Sequence, residues 1–564
     1  MRRIDTQVLV VGGGPVGLSL AMDLAWRSIA VVVAELRHRG EAPSVKCNHV
    51  AARTMEMFRR LGVAASVRDA GLPRDYPNDV AYRLTTTGTE FARIPIPCRA
   101  DRYTATDGLD TWWPTPEPPH RINQIYLEPI LFAHAEAMSG CTILNRTRVV
   151  GFTQSETSVL AQAEALDGDE TIEIRCEYLV GCEGSRSDTR RVIGAKLQGD
   201  AEIGRVQSTF IRAPSLLGSL KAKPAWGTFS LNARRSGNVY AIDGRTTWLV
   251  HNYLRSDEHD FEAVDRDASL RAILGVSADF NYEIISKEDW IARRLVADRF
   301  RDRRAFICGD AAHLWVPMAG YGMNAGIADA MNLSWMLAAV LHGWAPLAIL
   351  DAHEAERQPI TEQVSRYAMN HAVALAKLRS AVPAEIDDPG PAGAATRTRV
   401  GHELYDLNVH QYCCGGLNFG YFYDASPIIA YDDASPPGYG MYDFTPSTVP
   451  GCRTPHLWLR DGRSLYDALG PDYTLIRTDP SAQADTLLTA AAQRRVPITL
   501  LDLDAPEAAA LYPWKFVLSR PDQHVAWRGD AVPSDPLVLI DLIRGGGSPQ
   551  HRAGDDGRRG HKAG

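Results

Sequence analysis

Gly12-Gly13-Gly14-Pro15-Val16-Gly17 stands between an apolar run at residues 6–11 and a stretch at 15–26 with helical apolar spacing. In a strand–turn–helix unit each glycine of this G-x-G-x-x-G spacing has its own use. Gly12 permits the tight turn, Gly14 lets backbone approach a pyrophosphate, and Gly17 lets helix and strand pack closely. The helix N-terminus adds unpaired N–H groups and a positive dipole end, which suit phosphate. A second apolar run at 29–33 ends at Glu35, whose carboxylate is placed for the hydroxyl pair of a ribose. A glycine motif alone is weak, but strand, turn, helix, strand and acid in order make dinucleotide binding the reading. Gly12, Gly14, Pro15, Val16, Gly17 and Glu35 are its contacts, and the pattern by itself leaves FAD and NAD both open.

A second constellation bears on that choice. Cys308-Gly309-Asp310-Ala311-Ala312-His313 closes an apolar run at 304–308, and Gly320-Tyr321-Gly322-Met323-Asn324 follows at the start of a long helix. A carboxylate at a strand end accepts hydrogen bonds from a polyol such as the ribityl chain of a flavin. The next helix start presents positive dipole to the flavin pyrimidine edge. Taken alone, Asp310 reads equally well as a turn or helix cap.

The rest of the chain must hold these two groups together. Its 564 residues suffice for two or three domains. With 45% hydrophobic and 23% charged residues it has an ordinary globular composition. A net charge of −8 argues against a general nucleic-acid binder. No apolar run reaches the ~18 residues of a membrane span, and the start of the chain lacks signal-peptide character. Nine scattered cysteines without Cys-x-x-Cys, and 16 histidines without His-x-x-x-His, point to reduced thiols, a cytoplasmic location and no metal site. Residues 75–120, rich in Pro, Thr and aromatics, read as loops and edge strands over a site. Alternation between about 200 and 300 reads as an antiparallel sheet inserted into the first domain. Residues 387–400 and 433–451 read as linkers.

Together these motifs resemble the class A flavoprotein monooxygenases, the family of phenol, para-hydroxybenzoate and polyketide aromatic hydroxylases. Three segments match in the family's order, at 12–17, 178–190 and 304–333, and the resemblance covers about residues 5–375. Its most specific part is Gly-Asp-Ala-Ala-His, then Pro317, then Gly-x-Gly-Met-Asn, then Asp329-Ala-x-Asn332-Leu. The resemblance implies FAD as cofactor, NADPH or NADH as transient reductant and O2 as co-substrate. It also implies hydroxylation of a small phenolic or polycyclic aromatic substrate through a flavin C4a-hydroperoxide. The implied fold is α/β: a Rossmann-like FAD-binding domain at residues 1–75, 120–200 and 295–375, with a substrate-binding sheet from 76–119 and 201–294. A helix and linker at 376–450 lead to a thioredoxin-like α/β domain at 451–545 and a disordered tail at 546–564. That last domain holds only Cys452, so dithiol chemistry is excluded and packing or homodimer contact is its expected role.

Carried over residue by residue, the resemblance places the ADP half on Gly12, Gly14, Gly17 and Glu35. Lys46 stands where the family has arginine, keeping the charge without the bidentate fork. Gln124 would contact the flavin side, and Gly309 and Asp310 the ribityl chain. The Pro317 carbonyl would lie beside the flavin C4a atom, and Gly322, Met323 and Asn324 would hold the ring. Glu183 replaces the family's aspartate with one extra methylene. A phenol, with pKa ~10, reacts faster once ionised, so a general base is useful. The family's base position is Asn48, which cannot serve. His49 is adjacent and becomes the candidate base, with Asn48 as a hydrogen-bond partner for the substrate oxygen. A helix-capping His49 is the competing reading. Baeyer–Villiger insertion or epoxidation on the same scaffold is one alternative, and a non-catalytic flavin carrier or regulator, with Lys46 and Glu183 as signs of decay, is another.

Overall fold

A computed structural model describes residues 2–46, 48–317 and 320–547. Val8–Val11 is buried on both faces and has a parallel neighbour on each side, Val31–Ala34 and Tyr178–Gly181. Such a strand needs apolar residues at every position, which is what its sequence supplies. The six-stranded sheet runs 301–302, 305–307, 178–181, 8–11, 31–34 and 141–144. Only Tyr178–Gly181 separates Val8–Val11 from Ala305–Ile307, and all three are parallel. Two strand spacings place the carboxyl ends of residues 8–11 and 305–307 roughly 10 Å apart. The glycine turn and the Asp310 turn therefore leave the same edge of one sheet.

The expected antiparallel sheet is present as a larger, nine-stranded one, with Leu197–Arg212 and Thr247–Tyr253 near its middle. Val80–Arg83 is not an edge strand. It pairs in parallel with Gly227–Ser230 and antiparallel with Glu90–Ile94, which takes the edge. Residues 387–400 also differ from the linker reading. Gly390 caps and Pro391 opens the helix Pro391–Tyr412, so the proline and glycine mark a helix start. Pro359 lies inside the 30-residue helix Asp351–Ser380.

After residue 450, Tyr473–Arg477 pairs in parallel with Ile498–Asp502 and antiparallel with Phe516–Ser519, which joins Val525–Gly529. This unit shares a hydrophobic core with the six-stranded sheet and its helices. Tyr473 meets Trp335 and Trp344 edge-on at 6.0 and 6.3 Å. Arg520 pairs with Glu356 at 2.5 and 2.9 Å, both side chains fully buried. Among the described residues the cysteines are free, no His/Cys/Asp/Glu group could hold a metal, and no helix is long and apolar enough to cross a membrane. Of the expected tail, 548–564 lies outside the described residues.

Candidate cofactor and substrate site

The glycine turn is built by exclusion. Gly12 has φ +106°, and a Cβ there would stand 2.4 Å from the Cys182 carbonyl oxygen. A Cβ on Gly17 would stand 1.9 Å from the Gly12 oxygen, whereas one on Gly14 would meet nothing within 4 Å. Gly12 and Gly17 thus need glycine for the protein's own packing, and Gly14 faces open space at the start of the helix Pro15–Trp26, whose first residue is Pro15. Gly17→Ala should therefore prevent the turn from closing. Purified variant protein should contain less than a tenth of the wild-type flavin, read by visible absorbance.

Glu35 ends its strand where expected. One carboxylate oxygen accepts from the Gly13 N–H at 2.6 Å, and the other from the Arg37 backbone N–H at 3.0 Å and Nε at 2.8 Å. Burial pushes its carboxyl up, but Arg37 and these N–H groups hold it below the usual range. Each oxygen keeps further acceptor capacity for ribose hydroxyls. Arg37 reaches on to Glu128 at 2.5 Å, and Gln124 Nε2 donates to Glu128 at 3.0 Å. Gln124 thus begins the helix Gln124–Ala137 as part of this ionic chain.

At the other strand end, Gly309–Ala311 makes one helical turn. A Cβ on Gly309 would come within 3.0 Å of Val16, and one on Gly326 within 2.7 Å, so the two motifs interlock through Val16. The Asp310 side chain makes no hydrogen bond among the described residues and is exposed. Crowding by protein atoms nevertheless raises its carboxyl, with His313 and Lys46 pulling it back. Behind it, Asp329 accepts from the Gly309 N–H at 3.1 Å, from His313 Nε2 at 2.7 Å and from Arg357 Nε at 2.8 Å. Burial raises the Asp329 carboxyl, but His313 and Arg357 overcome it and hold it far below the usual range. His313 stacks on Trp315 at 4.7 Å and is 1% exposed, which makes it part of the frame. Asp329 was visible in the sequence as part of a motif, yet only the fold shows what it braces.

The helix Tyr321–Leu341 starts at Gly320, φ +63°, where a Cβ would stand 2.9 Å from His49 Cβ. Gly322 and Met323 lie in its first turn. Asn324 is buried and its side chain is engaged: Oδ1 accepts from Ala51 N at 2.8 Å, and Nδ2 donates to the carbonyls of His49 and Gly320 at 3.1 and 2.7 Å. The side chain thereby anchors residues 49–51. The Pro317 carbonyl accepts from Gly320 N at 3.4 Å.

Three of the expected site residues have partners within the protein. Glu183 turns back on its own loop, accepting from Ser187 Oγ at 2.8 Å and from Thr189 N and Oγ1 at 2.9 and 2.6 Å. The extra methylene lets it cap that turn. Lys46 pairs with Glu288 at 2.7 Å and is largely exposed, tying the loop after Glu35 to the nine-stranded sheet. Asn48 Oδ1 accepts from Asn123 Nδ2 at 2.5 Å, which engages the oxygen that a substrate hydroxyl would have met. His49 is buried at the junction of these elements. Burial, then Arg121, Arg102 and His120, set its pKa well below the ordinary 6.5. It stays neutral at physiological pH and is a weaker base than its type suggests.

The depressed histidines have a stability consequence. Burial also lowers His120 to about 3 and His251 to about 4. Groups whose folded pKa is depressed contribute stability above the unfolded value of ~6.5 that is lost as pH falls toward the folded values. The urea midpoint should fall between pH 6.5 and 4, and His49→Gln should make that fall shallower.

These features set an open glycine turn and, among the described residues, an unengaged carboxylate at the same edge of one parallel sheet. Residues 5–368 match the FAD binding domain model and residues 447–540 the aromatic-ring hydroxylase C-terminal model. The chain belongs to the family of FAD-dependent aromatic-ring monooxygenases. It is 30% identical to the tetracenomycin B2 monooxygenase-dioxygenase of Streptomyces olivaceus, over 96% of this chain and 98% of that one. Among solved structures, the rebeccamycin biosynthetic enzyme RebC with reduced flavin is similar at TM-score 0.87 and 32% identity, covering 97% of this chain and 100% of that one. The ternary complex of aklavinone-11 hydroxylase with FAD and aklavinone is similar at TM-score 0.78 and 25% identity, covering 96% and 99%.

Proposed function

We propose that the chain is an FAD-dependent monooxygenase that hydroxylates a phenolic or polycyclic aromatic substrate, with NADPH or NADH as reductant and O2 as co-substrate. The observation that carries this reading is the pairing of the Gly14 opening with the unengaged Asp310 carboxylate, at parallel strand ends separated by one strand. The residues fit FAD. Backbone at Gly12, Gly14, Pro15 and Val16 would face the pyrophosphate, Glu35 the adenosine ribose and Asp310 the ribityl chain, with Gly322, Met323 and Asn324 backbone beside the ring. When bound, FAD supplies two-electron reduction and O2 activation. The protein's part is to orient the substrate, exclude water and control one proton.

Residues 1–75, 120–200 and 295–375 form the FAD-binding domain in this reading, and 76–119 with 201–294 the substrate sheet. Residues 451–545 form a thioredoxin-like unit whose role is to brace Glu356. Free, mostly buried thiols suit a reducing compartment. The substrate surface in this reading is formed by Trp226, Tyr240 and His251. Trp226 and Tyr240 rings are 5.1 Å apart and Tyr240 and His251 rings 5.6 Å apart, a surface suited to flat aromatics.

The test is NADPH and NADH oxidation by flavin-loaded protein with a panel of phenols and polycyclic quinols. Substrate-stimulated oxidation, O2 uptake and a hydroxylated product are expected. A lactone or epoxide would redirect the reading to the other oxygen insertions. Bound flavin that never becomes reduced would leave a carrier.

A further inference from the structure

Among the described residues, Arg121 is a buried cation with no anion in an ion pair. An antiparallel bridge joins Val50 to His120, with N–H···O distances of 2.9 Å in both directions, and this places Arg121 opposite His49. Its guanidinium lies 4.1 Å from the Trp226 ring centroid and 5.5 Å from that of Tyr412. Arg121 is only 7% exposed. Among the described residues it makes no hydrogen bond or ion pair. Its nitrogens are also absent from the fully enclosed, unpaired side-chain atoms. All three therefore reach accessible space, so the remaining exposure is at the charged end.

The nearby groups do not neutralise it. Asp110 is held by Arg102 Nη1 at 2.7 Å and by Trp113 Nε1 at 2.8 Å. Two guanidinium groups around one carboxylate leave one positive charge. Burial raises the phenols of Tyr412 and Tyr240 and the Cys413 thiol, and pushes Cys414 up to about 12, so these stay neutral. His49 and His120 stay neutral as well. An unpaired buried charge is costly, and the stacked, open-ended guanidinium is a fork for a planar oxyanion.

We infer that Arg121 receives an oxyanion carried on the aromatic substrate, a ring carboxylate or a phenolate, and so fixes the ring against the segment Asn48 to His49. The inference rests on the monooxygenase reading for the identity of the site. It also explains how a phenol could ionise without a strong base, because a fixed cation favours the charged form.

The test uses the full chain as purified with its flavin, titrated with 2-naphthoate, 2-naphthol and methyl 2-naphthoate, with binding read by tryptophan fluorescence. Wild type should bind 2-naphthoate about tenfold or more tighter than the ester, the scale of one charge-assisted pair. If phenolate is the natural group, bound 2-naphthol should show the naphtholate absorption at pH values below its solution pKa. Arg121→Met should abolish both effects, and Arg121→Lys, which keeps the charge but not the fork, should retain part of them. Equal affinity for acid and ester, binding of neither, or an unchanged preference in Arg121→Met would overturn the inference. Charge-selective binding without oxygenation would instead sink the monooxygenase reading alone, and hydroxylation indifferent to substrate charge would sink only this one.

Discussion

Asp310→Ala should purify nearly colourless, with FAD bound at least tenfold more weakly than in wild type. Among the described residues the carboxylate has no hydrogen-bond partner, and it stands exposed although crowding by protein atoms raises its pKa. A polyol hydroxyl donating to it would form a charge-assisted bond worth about 1.5–3 kcal/mol, which accounts for a tenfold to hundredfold loss. Because the Asp310 side chain makes no hydrogen bond among the described residues, its removal should leave flavin-free stability within about 0.5 kcal/mol of wild type. Those two readings separate a ligand-binding role from a folding role. Unchanged flavin occupancy would remove Asp310 from the cofactor site. A large loss of flavin-free stability would make it a structural cap.

The largest stability effect should come from Arg520→Met. Arg520 lies in the C-terminal unit and pairs with Glu356 and Asp522, at 2.7 Å to the latter. Glu356 also takes the Asn332 amide at 2.6 Å. Removing the guanidinium strands two buried carboxylates, a change worth about 3–5 kcal/mol. Glu356 neighbours Arg357, which braces Asp329 behind the Asp310 turn. Flavin retention should therefore fall together with the urea midpoint. Adding Glu356→Gln to Arg520→Met should recover part of the loss, since one stranded charge is removed. A single substitution with an unchanged midpoint would mean that the C-terminal unit is not coupled to the cofactor domain.

Much of the cofactor end was legible because its residue types are forced. Gly12 and Gly17 have no room for a Cβ, and an acid after the second strand has a defined use. Legibility failed where one residue type serves two purposes. Gly390-Pro391 reads as a linker and is a helix start. The extra methylene of Glu183 looked like a weakened contact, whereas it lets the carboxylate fold back on Thr189. His49 had the right type and place for a base, yet burial first, and then Arg121 and Arg102 from other parts of the chain, lower its pKa. Arg121 itself carries no motif. Its meaning comes from Trp226 and Tyr412, distant in sequence, and from Asp110 being engaged elsewhere. Local spacing sets the backbone cradle for a cofactor, while charge balance in a pocket is a property of the tertiary fold.

Transfer of one oxygen atom from O2 to an aromatic ring is read by running the flavin-loaded protein with NAD(P)H, an accepted phenol or aromatic acid and isotopically heavy O2, then weighing the product. One heavy oxygen atom per product molecule, absent when Asp310→Ala protein replaces wild type, is the expected result. Product oxygen drawn from water, or reductant consumed with no labelled product from any aromatic tested, would contradict it.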